Sequence, residues 1–260
     1  MTFQPFVPVG GLAGWRFLQS TLGQQKAAFD AGPTLQRDLA YFRDNIGSVT
    51  TPEALVSDFR LLSVALGAFG LSEDIGSKFL IRKVLEEGTL SPDALANRLT
   101  DKRYRDLSRA FGFGDFDTPN TVLSTFPDQI ERAYLDRSFE QAIGQTNDTM
   151  RLALNARREL PVLAEGPESD RTKWFTLMGT PPLRAVMEGA LGLPTAFATL
   201  PIDRQLEEFQ DRAETILGTS DLAELSAAPV LDRLLDRYTA VSGSTASPVS
   251  SPALVLLRGF

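Results

Sequence analysis

A helix stop that occurs twice constrains this chain more than any other feature. At Leu66–Leu71 the sequence reads LGAFGL, and at Gly189–Leu193 it reads GALGL. Aligning Gly67 with Gly189 pairs Leu61 with Leu183, Val64 with Val186, Ala68 with Ala190 and Phe69 with Leu191. The same register pairs Gly70 with Gly192 and Leu71 with Leu193. Glycine tolerates the left-handed backbone that closes a helix, and the leucine after it folds back onto the last turn. The pattern predicts a buried helix, a glycine cap and a change of chain direction in each half. Farther on, Gly88-Thr89 resembles Gly218-Thr219, and Asp101–Tyr104 loosely resembles Asp236–Tyr238. One helical subdomain used twice accounts for this, with chance likeness among helix caps as the rival explanation.

The remaining signals are helical too. Thr50 or Thr51 caps a helix opening at Pro52, and Thr50 with Glu53 matches capping-box spacing. Leu55, Phe59, Leu62 and Leu66 form its apolar stripe. Ser72 is expected to cap a helix through Glu86, closed by Gly88, and Ser91-Pro92 opens another. The run Asp101–Phe111 puts Tyr104, Leu107 and Phe111 on one side. After it comes FGFGDFDTPN, Phe111–Asn120, the expected boundary between halves. The helical pattern from Pro127 to Leu160 exceeds ordinary helix length, so it either kinks near Gly144 or is a spine shared by both halves. The sequence PVLAEGPESD should break it. No strand-like alternation occurs anywhere. The expected fold is all-α and multi-helical, with two similar helical subdomains. A flexible arm spans 1–11, the first subdomain 12–116, the long helix and second subdomain 117–240, and a flexible tail 241–260. That tail reads SGSTASPVSSP from Ser242 and ends in the apolar ALVLLRGF.

Composition then removes whole classes of chemistry. Cysteine and histidine are both absent. Disulfides, thiolate nucleophiles and cysteine-held metals are therefore out, as are imidazole bases and ligands. A net charge of −7 offers no strong attraction for nucleic acid or anionic lipid. The densest basic stretch, Asp101–Arg105, is diluted by its own aspartates. Nor does any apolar run approach the roughly 20 residues of a membrane span, and the N-terminus lacks the basic start and apolar core of a cleaved signal. The expectation is a protein made in the cytoplasm and not inserted into a membrane. GGLAG at Gly10–Gly14 lacks the Lys-Ser/Thr ending of a phosphate loop. Asp115 and Asp117 alternate like calcium ligands but lack the glycine and distant glutamate of an EF-hand. No catalytic, cofactor-binding or metal-binding residue is assigned.

Three ordered blocks carry a family resemblance. They are SDFRLLSVALGAFGLSED (Ser57–Asp74), FLIRKVLEEG (Phe79–Gly88) and ALANRLTDKRYRDLSRAFGFG (Ala94–Gly114). These resemble the DUF1217 family, an alphaproteobacterial domain of unknown function; the likeness is looser beyond Phe116. The resemblance implies no activity, but members of that family are similar to proteins encoded among flagellar genes. Absence of cysteine, absence of a cleaved signal and apolar termini agree with that association. The expected function is a non-enzymatic structural or assembly protein of the bacterial flagellum, acting through contacts with other proteins, flagellar subunits among them. A cytoplasmic regulator or chaperone that holds a partner helix in an apolar groove is the alternative, and an enzyme working without imidazole the third reading.

Candidate partner contacts are Phe3, Phe6 and Trp15 at one end and Leu254, Leu256 and Leu257 at the other. Arg60, Asp101, Arg103 and Tyr104, polar residues set within the resembling blocks, form a candidate polar cluster. Two readings stay open for it: an ion-pair network that ties helices together, or a binding pocket.

Overall fold

The computed structural model describes residues 3–245. Among them stand fourteen α-helices and no strand, so the protein is all-α. The chain packs as two compact units. Among the described residues, unit 1 holds Leu22–Ile143 with residues 3–5, and unit 2 holds Phe6–Thr21 with residues 144–245.

This division departs from the sequence expectation. The loop Phe111–Asn120 lies inside unit 1 and is fastened there. The Asn120 amide donates to the Ala110 carbonyl at 2.9 Å, and the Thr121 hydroxyl donates to the Val49 carbonyl at 2.7 Å. Its glycines serve close approach: a Cβ on Gly114 would stand 2.4 Å from the Glu86 carbonyl oxygen. Composition resembling a linker was a packing requirement instead.

The long helical segment is likewise two helices, α8 (Phe126–Gly144) and α9 (Asp148–Glu165). Asn147 separates them and caps α9, its side chain accepting the Met150 amide at 3.1 Å. Pro161 does not end α9. The helix runs on to Glu165 because Leu160 and Ala164 are buried, and that packing offsets the lost amide donor. The helix that contributes to both units is α1 (Gly11–Asp30), which passes from unit 2 to unit 1 between Thr21 and Leu22.

In unit 1, α2 (Pro33–Ile46), α3 (Pro52–Ser57) and α4 (Phe59–Ala68) meet over Leu39, Phe42, Ile46, Leu62 and Leu66. The expected single helix from Pro52 is broken at Asp58. That residue takes an extended backbone, and its carboxylate accepts the Arg60 and Leu61 amides at 2.9 and 3.0 Å. Tyr41 donates its hydroxyl to the same carboxylate at 2.6 Å. Thr51, rather than Thr50, caps α3 by accepting the Ala54 amide. A 3-10 turn, Ser72–Gly76, then leads into α5 (Lys78–Glu87), so the helix expected from Ser72 starts later. Two further helices, α6 (Leu95–Arg98) and α7 (Arg103–Phe111), follow, with Tyr104, Leu107 and Phe111 turned inward onto the core that Phe126 and Ile130 of α8 also join.

Asp58 gives the fold an acid-sensitive joint. Desolvation opposes its charge, but the hydrogen bonds from Tyr41 and from the Leu61 and Arg60 amides outweigh that and hold its carboxyl below the usual range. A carboxyl lowered in the folded state stabilises above its unfolded value of about 4, and the contribution fades as pH falls through the folded value. Asp58→Ala should cost about 1–2 kcal/mol near neutral pH. Denaturant titrations at several pH values should show the gap from the unsubstituted chain constant above about pH 5 and shrinking below about pH 4. A gap that widens with acid would contradict this.

Unit 2 is built from α9, α10 (Asp170–Met178), α11 (Pro181–Leu191), α12 (Ile202–Leu217), α13 (Leu222–Ser226) and α14 (Ala228–Thr245), with the first half of α1. Trp15, Leu18, Trp174, Val186, Phe209 and Leu234 are wholly enclosed. Trp174 keeps its polar handle satisfied, its indole N–H donating to the Ser220 carbonyl at 3.0 Å. Because α14 continues through Thr245, residues 241–245 expected in the tail are helical. The rest of that tail, 246–260, lies outside the described residues.

The repeated stop is built alike in both units. Gly70 and Gly192 take φ of 71° and 65°, and the Leu71 and Leu193 amides donate to the Leu66 and Glu188 carbonyls, each at 2.9 Å. These are the six-to-one bonds of a Schellman cap. Three residues before each cap, a tyrosine ring lies on a helical glycine: Tyr134 of α8 on Gly67, and Tyr238 of α14 on Gly189. The ion pair Arg43–Asp128 joins α2 to α8, and Arg157–Asp232 joins α9 to α14. The counterpart of Tyr238 is thus Tyr134, and the alignment with Tyr104 is corrected. Gly88 and Gly218 differ as well, with ψ of −154° and 10°.

Candidate functional site

The four polar candidates fall into separate networks. Arg60, at the start of α4, stacks over the Tyr41 ring at 4.0 Å and donates to the Arg37 carbonyl at 3.0 Å and to Asp38 at 3.4 Å. None of these contacts involves Asp101, Arg103 or Tyr104. Arg60 ties α4 to α2.

The other three gather at the entrance to α7. Asp101 accepts from Arg103 twice, Nε to Oδ1 at 3.0 Å and Nη2 to Oδ2 at 2.6 Å, and also accepts the Arg103 amide. The remaining guanidinium nitrogen, Nη1, donates to the Gly70 carbonyl, so the pair latches onto the glycine corner. Desolvation works against the Asp101 charge, yet the Arg103 side chain and amide prevail and hold its carboxyl low. Tyr104 is buried, and desolvation first, then its hydrogen bond with Asp74, pushes the phenol up to about 12. A phenol so placed stays protonated near neutral pH, and an aspartate so firmly paired is a poor base. The arrangement suits holding the corner in place.

Asp115, which the sequence offered only as part of an incomplete calcium pattern, is a further tie. Its carboxylate accepts the Thr89 amide at 2.5 Å, the Thr89 hydroxyl at 2.8 Å and the Leu90 amide at 3.1 Å. No sequence signal pointed to Thr89 as its partner, because the pairing bridges a separation of 26 residues.

The apolar candidates divide differently. Trp15 is 0% exposed and belongs to the core of unit 2, so its side chain is not available to a partner. Phe3 and Phe6 are exposed, at 37% and 62%, and Val9 and Leu12 join them on the surface. The segment that bears them has no helix before Gly11, but it is folded back: a Cβ on Gly14 would stand 1.9 Å from the Val9 carbonyl oxygen. Residues 7–9 of this arm are therefore laid on the first turn of α1, and Gly14 is what admits their backbone. Leu254, Leu256 and Leu257 lie outside the described residues.

No described helix is long and apolar enough to cross a membrane. No curated protein matches the chain in sequence. The fold is similar to the crystal structure of a protein from Agrobacterium tumefaciens solved by a structural genomics consortium, with a TM-score of 0.74 and 24% identity over 94% of this chain and 100% of that one. That likeness speaks for the fold. The model of the family described as "Protein of unknown function (DUF1217)" matches residues 68–228, beginning inside the first of the three blocks that carried the resemblance and running well past the last. With more than half of its length matched in this way, the chain belongs to the DUF1217 family.

Proposed function

We propose that this chain is a non-enzymatic structural or assembly protein associated with the bacterial flagellum, acting through protein–protein contacts. The observation that carries the contact reading is the arm. Phe6, Val9 and Leu12 expose apolar surface within a few residues of one another, on a backbone already fixed against α1. Grouped exposed apolar side chains on an ordered segment mark a surface to be covered. The polar candidates support the same reading, since each spends its hydrogen bonds within the chain. Placement at the flagellum rests on the family's likeness to proteins encoded among flagellar genes.

Quantitative mass spectrometry of purified basal bodies and filaments, set beside cytosol from the same cells, tests the assignment. Enrichment with the flagellar fractions is the expected result. Recovery from cytosol alone would overturn it.

A further inference from the structure

Within unit 1, the end of α1 meets α8 through an unbalanced set of charges. Lys26 donates to the Asp136 carboxylate of α8, and Asp30 stands one turn beyond Lys26 on the same side of α1. The Oδ1 atom of Asp30 is shut off from solvent and accepts no hydrogen bond among the described residues. The Lys26 ammonium that could answer it is given to Asp136. Glu140, one turn beyond Asp136 on α8, is buried as well. From α2 comes a neutral group, the Gln36 amide, which donates to the Asp30 carbonyl at 2.7 Å. The charges of α2 nearest to it are turned elsewhere, Arg37 to the Pro33 carbonyl and Asp38 to Arg60. The Phe29 and Phe139 rings meet edge to face at 5.7 Å and set this group in place.

We propose that Asp30 is a proton-operated catch, which fastens the end of α1 to α8 in mild acid and slackens it near neutral pH. A carboxylate oxygen enclosed without a donor is costly, and taking up a proton relieves the cost. Once protonated, Asp30 has an O–H to donate and no longer repels Asp136, which keeps Lys26 to itself. The electrostatics agree: burial raises the Asp30 carboxyl first, Lys26 opposes this, and Asp136 adds to the rise. A carboxyl raised in the folded state weakens the fold above its folded value, and the penalty is lifted as pH falls through that value. The direction is the reverse of that at Asp58, so acid tightens this joint while it loosens the start of α4. The inference concerns the free chain and stands whether or not the flagellar assignment does.

Hydrogen–deuterium exchange on the full chain tests this locally, between about pH 5 and 7, where the Asp58 contribution is constant. After correction for the intrinsic pH dependence of exchange, protection of the Ala27–Ala31 amides should rise severalfold as the pH is lowered. Asp30→Asn keeps the size and removes the charge; it should show the acid level of protection already at pH 7 and no response to pH. Asp136→Asn, which frees Lys26 for Asp30, should also remove the response, whereas Glu140→Gln should leave it in place. Protection that is flat or falls in acid in the parent would overturn the proposal, as would an Asp30→Asn variant that responds like the parent. Carbon-13 NMR of the carboxyl groups gives an independent readout. Asp30 should titrate above the ordinary aspartate value of about 4, and titration at or below it would equally count against the catch.

Discussion

Trp15→Ala should lower the stability of unit 2 by about 4 kcal/mol, the cost of emptying a fully enclosed indole site. For a chain of this size, that corresponds to a fall of about 10 °C in the melting transition that includes unit 2. In the sequence Trp15 reads as either a core or an interface anchor, since aromatic residues serve in both, and it stands among the candidate partner contacts. The structure turns it inward with Leu18, while Leu12 remains partly on the surface. Calorimetry decides between the two roles. A chain that melts unchanged but loses a binding partner would return Trp15 to the surface.

Gly189→Ala should be the more damaging of the two equivalent helix substitutions, costing about 2–3 kcal/mol. Alanine is worth about 1 kcal/mol more than glycine inside an exposed helix, so propensity alone predicts a gain at both positions. Tyrosine rings reverse that sign. An added Cβ would stand 2.8 Å from the Tyr238 ring at Gly189 and 2.5 Å from the Tyr134 ring at Gly67. The nearer clash is at Gly67, yet Tyr134 is only half-buried and can swing toward solvent. Tyr238 is 5% exposed and has nowhere to go. Gly67→Ala should therefore cost about 1 kcal/mol, the lost ring packing less the propensity gain. Denaturant midpoints of the two variants check the order. Two variants both more stable than the parent would show that the rings do not rest on these helices.

The Schellman corners were legible because they are local. Gly70-Leu71 and Gly192-Leu193 state in adjacent letters a bond that spans one turn. What lies across the chain was harder to read. The tyrosine against Gly189 is 49 residues away, and the one against Gly67 is 67 away, so matching Tyr238 to Tyr104 by order alone chose the wrong partner. Asp58 sits inside an unbroken apolar stripe; its carboxylate caps α4 through the Arg60 and Leu61 amides, and the Tyr41 hydroxyl that joins them is brought over by α2. Gly114 and Asp115 looked like a linker because composition does not distinguish glycine that bends from glycine that admits a neighbouring backbone. Within the candidate site, Arg103 and Asp101 were already close in the sequence and stayed together. Arg60 was grouped with them by family pattern alone, and its real partners come from α2.

The central claim is that the arm of this protein makes its contact with a flagellar assembly. The most direct measurement compares the unsubstituted chain with Phe6→Asp/Val9→Asp, expressed equally in the native cell, by quantitative recovery from purified flagella. Both side chains are exposed, so the variant should melt with the parent. The account predicts that the parent is enriched with flagella and that the variant, equally folded, is left in the cytosol. A variant retained as well as the parent, or a parent found in neither basal body nor filament, would contradict it.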